Sequence, residues 1–185
     1  MRLNQRLSSV EPAERGGLLL RFVDPSDTEY RYNTDALLVV TGRVPNGDQL
    51  AVDRAGVDVD EAGFVVVDEH QRTSREHIWA LGDVCDHHLL KHVANAQARV
   101  VQHNLLPPDE PIARPAEPVP QAIFGQPPVL TVGATEEALR EAGTEYVKVV
   151  QPYDTVAYGW ALDDRTSFVK LLVDPATRLL LGAGV

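Results

Sequence analysis

The sequence predicts an α/β first half followed by a smaller α+β domain built on a mostly antiparallel sheet. Three observations carry that expectation. Short apolar strands, bounded by turn residues, run from Leu18 to Leu81 and lead into one long amphipathic helix. A proline-rich stretch then breaks the pattern. Beyond it, further short strands return with a single short helix among them.

The elements follow in chain order. Leu18 to Val23 and Thr28 to Tyr32 read as a hairpin around Asp24-Pro25-Ser26-Asp27, whose Pro and Asp favour a tight reversal. Asp35-Ala36-Leu37-Leu38-Val39-Val40 is a continuous apolar run ending at Thr41-Gly42, as expected of a central strand covered on both faces. Arg43-Val44-Pro45-Asn46-Gly47-Asp48 is turn chemistry. Phe64 to Val67 and Ile78 to Leu81 read as two more strands, the second stopping at Gly82-Asp83. A helix is predicted from Leu89 to Leu106, with Leu90, Val93, Ala94, Ala98, Val101 and Leu105 on its apolar face and Pro107-Pro108 ending it. Residues 107–120 hold six of the 13 prolines, which marks an extended linker and a domain boundary. Strands are then expected at Ala122 to Phe124, Val129 to Val132, Tyr146 to Val150, Phe168 to Val173 and Leu179 to Leu181. A helix opening at Thr135-Glu136-Glu137, capped by the threonine, falls between the second and third.

Composition narrows the function classes. With 17 basic and 27 acidic residues the formal charge is -10, which disfavours nucleic acid and anionic membranes, since both reward clustered Lys and Arg. Met1 to Val10 hold no apolar run of the signal-peptide kind, and no stretch approaches the roughly 20 apolar residues needed to cross a bilayer. A cytoplasmic location is expected. Cys85 is the one cysteine, so no intrachain disulfide can form, as expected in a reducing compartment.

The sharpest local signal is Ile78-Trp79-Ala80-Leu81-Gly82-Asp83-Val84, a strand ending in Gly-Asp just before an amphipathic helix. A carboxylate there can accept hydrogen bonds from a ligand's hydroxyls, and the helix N-terminus beyond offers free N–H groups to an anionic acceptor. By pattern alone the same residues also read as a turn glycine with a helix-capping acid. Asp83, Cys85, Asp86, His87, His88 and His92 form a competing cluster of metal-ligand types, with His88 and His92 one helical turn apart. A structural metal wants four committed ligands, and no partner pair exists elsewhere in the sequence, so no metal site is expected.

Taken together, Leu37 to Asn46, then Val67-Asp68-Glu69, Gln71-Arg72-Thr73-Ser74 and Ile78 to Val84 resemble the second half of the class I pyridine nucleotide-disulfide oxidoreductases. The resemblance implies the end of a nucleotide-binding domain through residue 46, with Thr41 and Gly42 at the cofactor side. It implies the return half of an FAD domain over residues 47–106, a linker over 107–120, and the first part of a dimerisation domain over 121–185. Asp83 would hold the flavin's ribityl hydroxyls beside Gly82. Leu90, Lys91, His92 and Ala94 would face the flavin's pyrimidine edge, where a helix N-terminus stabilises negative charge on reduction. Lys91 and His92 also read as two solvated residues at a helix end.

Leu89 to Asn95, Arg99 to Leu106, and Ala157-Tyr158-Gly159-Trp160 with Phe168 to Leu172 are similar to the mycothione reductase branch more than to glutathione reductases or dihydrolipoyl dehydrogenases. Packing in a dimer interface also accounts for the aromatic stretch. The implied cofactors are FAD and NADPH, and the implied partners a low-molecular-weight disulfide and a second subunit. The family's Gly-x-Gly-x-x-Gly turn, redox Cys pair and C-terminal His are absent from the sequence, and the chain stops in apolar residues Leu179 to Val185. The expectation is therefore an internal piece of such an enzyme with no catalytic residues of its own, because thiol-disulfide exchange needs two sulfurs. The alternatives are a non-catalytic binding module and a piece of a dihydrolipoyl dehydrogenase-like enzyme.

Overall fold

The computed structural model describes residues 2–106, 110–115 and 118–185, and the chain divides into two units, Met1–Val44 and Pro45–Val185. The first unit is an antiparallel meander of β1 (Arg6–Pro12), β2 (Leu18–Val23) and β3 (Glu29–Thr34) in that spatial order. The most apolar strand, β2, lies in the middle, with Leu20 buried between Val10 and Tyr32 in the register. Phe22 meets Tyr32 edge-on at 5.6 Å. On the other face Arg21 reaches Glu11 at 3.3 Å and Glu29 at 3.1 Å. The expected β2–β3 hairpin forms because the Asp24 carboxylate accepts from the backbone N–H groups of Ser26 and Thr28, at 2.9 and 3.0 Å, and closes the turn on itself. The polar strand β1 has no apolar run and went unanticipated.

The expected central strand over residues 35–40 does not form. Leu38, Val39 and Val40 are 83%, 67% and 77% exposed, and this apolar run pairs with no strand among the described residues. Its composition encodes cover on both faces, but the three strands of the meander pair only with one another.

The second unit opens with a single-turn helical stretch (Asn46–Leu50) and the short α1 (Val52–Ala55), where turn chemistry was expected. The strands expected at 64–67 and 78–81 reduce to isolated bridges, Val59 with Val65 and Arg72 with Trp79. Backbone bonds such as Val65 N–H to Val84 O, at 2.9 Å, hold them without a continuing ladder. The long helix α2 spans Lys91–Leu105. It starts later than expected because Leu89 adopts φ +55°, which cannot belong to a right-handed helix. The predicted terminators Pro107 and Pro108 lie outside the described residues. The buried face of α2 is Val93, Gln97, Val100, Val101 and Asn104, while Leu105 is exposed. Two amides displace the predicted apolar stripe because each has backbone or carboxylate partners to satisfy. Asn104 Nδ2 donates to Ile112 O at 2.8 Å and its Oδ1 accepts from Ile112 N–H at 3.0 Å, strapping residues 110–115 to the helix.

The antiparallel sheet of the second half is as the sequence implied: β4 (Gln121–Ile123), β5 (Val129–Gly133), β6 (Val147–Pro152), β7 (Phe168–Val173) and β8 (Leu180–Gly184), in the order β4-β5-β8-β7-β6. Thr135 caps α3 (Glu136–Glu141) by accepting from Ala138 N–H at 3.1 Å. Glu136 then gathers Arg140, Lys148 and Lys170 at 2.6, 3.0 and 3.3 Å, tying α3 to β6 and β7. The Lys148 hydrogen bond leads the interactions that outweigh desolvation and hold the Glu136 carboxyl down to about 2. The aromatic stretch forms the unpredicted α4 (Ala157–Ala161), with Tyr158 and Trp160 67% and 77% exposed. No helix among the described residues is long and apolar enough to cross a membrane.

Candidate functional site

Six of the eight residues singled out in the sequence, Gly82, Asp83, Leu90, Lys91, His92 and Ala94, belong to the second unit. Thr41 and Gly42 belong to the first, in an exposed stretch outside any strand, where Gly42 takes φ +116°. The bridge at Trp79 delivers the chain to Gly82, whose φ of +76° turns it into one short helical turn, Gly82–Val84. Only glycine takes that dihedral without strain. A Cβ at Gly82 would rest 3.5 Å from the Ala94 methyl, an ordinary contact, so the dihedral and not the space selects glycine here.

Gly82 O accepts from the N–H groups of Cys85 and Asp86, at 3.0 and 3.1 Å, which closes the turn. Asp83 is exposed on its outer side. A carboxylate presented on a turn has oxygens that can accept from a ligand's hydroxyl groups. Leu90 enters α2 with extended dihedrals (φ -116°, ψ 130°), and no side-chain hydrogen bond caps the helix start among the described residues. The N–H groups of its first turn therefore remain available to an acceptor, with the positive end of the helix dipole behind them. Lys91 and His92 are exposed on that turn, and Lys91 Nζ donates to Asn95 Oδ1 at 3.4 Å.

The helix start opens onto a cleft of about 570 Å³. Leu90, Lys91 and His92 line it together with the apolar Phe124, Leu130 and Val132. Its size falls within the range of small-molecule clefts.

Beneath the turn lies a polar cluster that periodicity did not reveal. The Asp86 side chain is 8% exposed; it accepts from Gln97 Nε2 at 2.7 Å and pairs with Arg114 at 2.6 Å and His88 Nδ1 at 2.8 Å. Burial pushes its carboxyl up, but the His88 hydrogen bonds and the His88 and Arg114 charges outweigh burial and hold it below the usual range. Gln97, 1% exposed, accepts from Gly82 N–H at 2.6 Å. The only sequence signal for this cluster was a glutamine standing seven residues after Leu90 on the inward face. His88 is committed to Asp86, and among the described residues no three His, Cys, Asp or Glu side chains converge as a metal site. Burial and the Asp86 charge push the Cys85 thiol up to about 11, away from nucleophilic use.

The residues present fit the edge of an FAD: a positive-φ turn, an outward carboxylate, an uncapped helix start and an apolar cleft. A family model described as pyridine nucleotide-disulphide oxidoreductase matches residues 1–99, and that family's dimerisation domain matches residues 119–185. A mycothione reductase of Mycobacterium tuberculosis is 45% identical over 181 residues, covering 95% of this chain and 38% of that protein. A dihydrolipoyl dehydrogenase of Haloferax volcanii is 33% identical over 173 residues, covering 93% of this chain and 36% of that protein. Among solved structures, the HOCl-induced flavoprotein disulfide reductase RclA of Escherichia coli superposes with a TM-score of 0.81 at 28% identity, covering 98% of this chain and 40% of that one. The chain thus spans about two fifths of the length of the relatives it matches.

Proposed function

The chain belongs to the pyridine nucleotide-disulphide oxidoreductase family, and from that premise we propose that it forms the flavin-facing and dimer-forming part of an FAD-dependent, NADPH-linked reductase of mycothione. The higher identity to a mycothione reductase, 45% against 33% for a dihydrolipoyl dehydrogenase over nearly the same span, carries the choice of disulfide. FAD, when bound, relays electrons from the nicotinamide to the disulfide. In this reading Asp83 accepts from the ribityl hydroxyls, Gly82 sets the turn that presents it, and Thr41 and Gly42 close the nucleotide-binding part. The start of α2, from Leu90 through Lys91 and His92 to Ala94, places partial positive charge beside the flavin's pyrimidine edge.

The same reading divides the chain into a nucleotide-domain end (1–46), the FAD-domain return (47–106), a linker (107–120) and a dimerisation part (121–185). It supplies no catalytic residue from these 185, and it places the enzyme in the cytoplasm as a homodimer. The exposed Tyr158, Trp160 and Phe168 support a subunit interface.

The flanking DNA tests it. In-frame codons for a Cys pair upstream and for His-Pro downstream are expected. Start and stop codons bounding these 185 without them would instead favour a non-catalytic module. Given the complete enzyme, NADPH oxidation measured with mycothione and with lipoamide in parallel decides the substrate. Faster turnover of lipoamide would assign the chain to the dihydrolipoyl dehydrogenase branch.

A further inference from the structure

Gln97 is the most deeply buried polar side chain beside the flavin-facing turn, and none of the chemistry above uses it. It sits two turns into α2, on the inward face. Its two ends do different work: Oε1 accepts from Gly82 N–H at 2.6 Å, and Nε2 donates to Asp86 Oδ2 at 2.7 Å. The orientation of the amide is fixed by these partners, because Gly82 offers only a donor and the ionised Asp86 only acceptors. Asp86 is itself anchored by His88 and Arg114. The segment from Gly82 to Asp86 is therefore clasped at both ends by one side chain, and Asp83 lies inside the clasped span.

We propose that Gln97 is a positioning residue for the flavin: its amide fixes the Gly82–Asp86 turn and so sets where Asp83 points relative to the start of α2. The proposal rests on the reading that this turn meets FAD. No replacement reproduces both arms independently of pH. Leucine fills the space and supplies neither partner, while an ionised glutamate accepts from Gly82 but opposes Asp86. A protonated glutamate restores both bonds, since its hydroxyl donates to Asp86 and its carbonyl accepts from Gly82. The carboxyl introduced by Gln97→Glu is pushed up by burial and by the Asp86 charge, so the clasp is present below that raised value and lost above it.

Two readouts test this. In the 185-residue chain, Gln97→Leu is expected to speed exchange of the Gly82 amide by roughly tenfold, the loss of one buried hydrogen bond. Gln97→Glu should match it in mildly alkaline buffer and return to the wild-type rate in mildly acidic buffer; this pH titration also decides the matter if the leucine variant does not fold. In the flavoprotein made from the uninterrupted reading frame, FAD affinity should follow the same pattern, weakened roughly tenfold in Gln97→Leu and recovered at low pH in Gln97→Glu. Wild-type exchange in Gln97→Leu, or no pH dependence in Gln97→Glu, overturns the clasp. Faster exchange with unchanged FAD affinity overturns the positioning role. A wild-type flavoprotein that takes up no FAD sinks the flavin reading itself, an outcome distinct from both.

Discussion

Replacing Asp86 by alanine removes the acceptor on which Gln97, Arg114 and His88 converge. Gln97 Nε2 stays buried with no partner, a penalty of about 1–3 kcal/mol. The Arg114 and His88 side chains are each 36% exposed and can turn to water, so their pairs add only about 0–1 kcal/mol. A total of about 1–4 kcal/mol follows for the second unit. Urea unfolding followed by tryptophan fluorescence measures it, since Trp79 and Trp160 both lie in that unit. With a slope of about 2 kcal/mol per molar, the midpoint should fall by about 1 M. Asp86→Asn keeps an acceptor for Gln97 and should cost about 1 kcal/mol. The lowered Asp86 carboxyl adds a pH signature: its contribution is present above the unfolded value of about 4 and is lost as pH falls through the lower folded one. A midpoint unchanged within about 0.25 M in Asp86→Ala would refute the cluster as a stabilising element.

Gly82→Ala should cost about 1 kcal/mol by the same titration, because the φ of +76° is strained for alanine while the new methyl meets Ala94 at an ordinary distance. Cys85 should react with iodoacetamide at mildly alkaline pH more than about tenfold slower than a free cysteine, since its thiol is pushed up to about 11; parity with a model thiol would contradict the burial. Glu136→Gln should lower the melting temperature at neutral pH and flatten its acid dependence. The wild-type contribution is present above the ordinary value of 4.5 and disappears as pH falls toward about 2. A wild-type melting temperature insensitive to pH across that interval would argue against the α3 anchor.

The second half of the fold was legible because the sequence pattern and the available partners agree. Each of β4 to β8 finds an antiparallel neighbour within the chain, and Thr135 states the start of α3 directly. Residues 35–40 carry an equally strong apolar pattern, yet Leu38, Val39 and Val40 are exposed and pair with no strand among the described residues, whereas Phe64 and Val65 are buried through an isolated bridge and loop hydrogen bonds alone. The turn at Gly82 was legible, because an apolar stretch stops at a glycine before a helix. Its support was not, because polar side chains at inward positions do not register in an apolar stripe, and hydrogen bonding to Gly82, Asp86 and Ile112 is what lets Gln97 and Asn104 stay buried there.

The most direct test of a flavin-facing turn is the flavin content of the protein expressed from the uninterrupted reading frame, wild type against Asp83→Ala, read from the flavin absorbance after purification. Stoichiometric FAD is expected in the wild type, with most of it lost in the variant. A colourless wild type, or an Asp83→Ala protein that keeps its FAD with unchanged affinity, would contradict a flavin-facing turn.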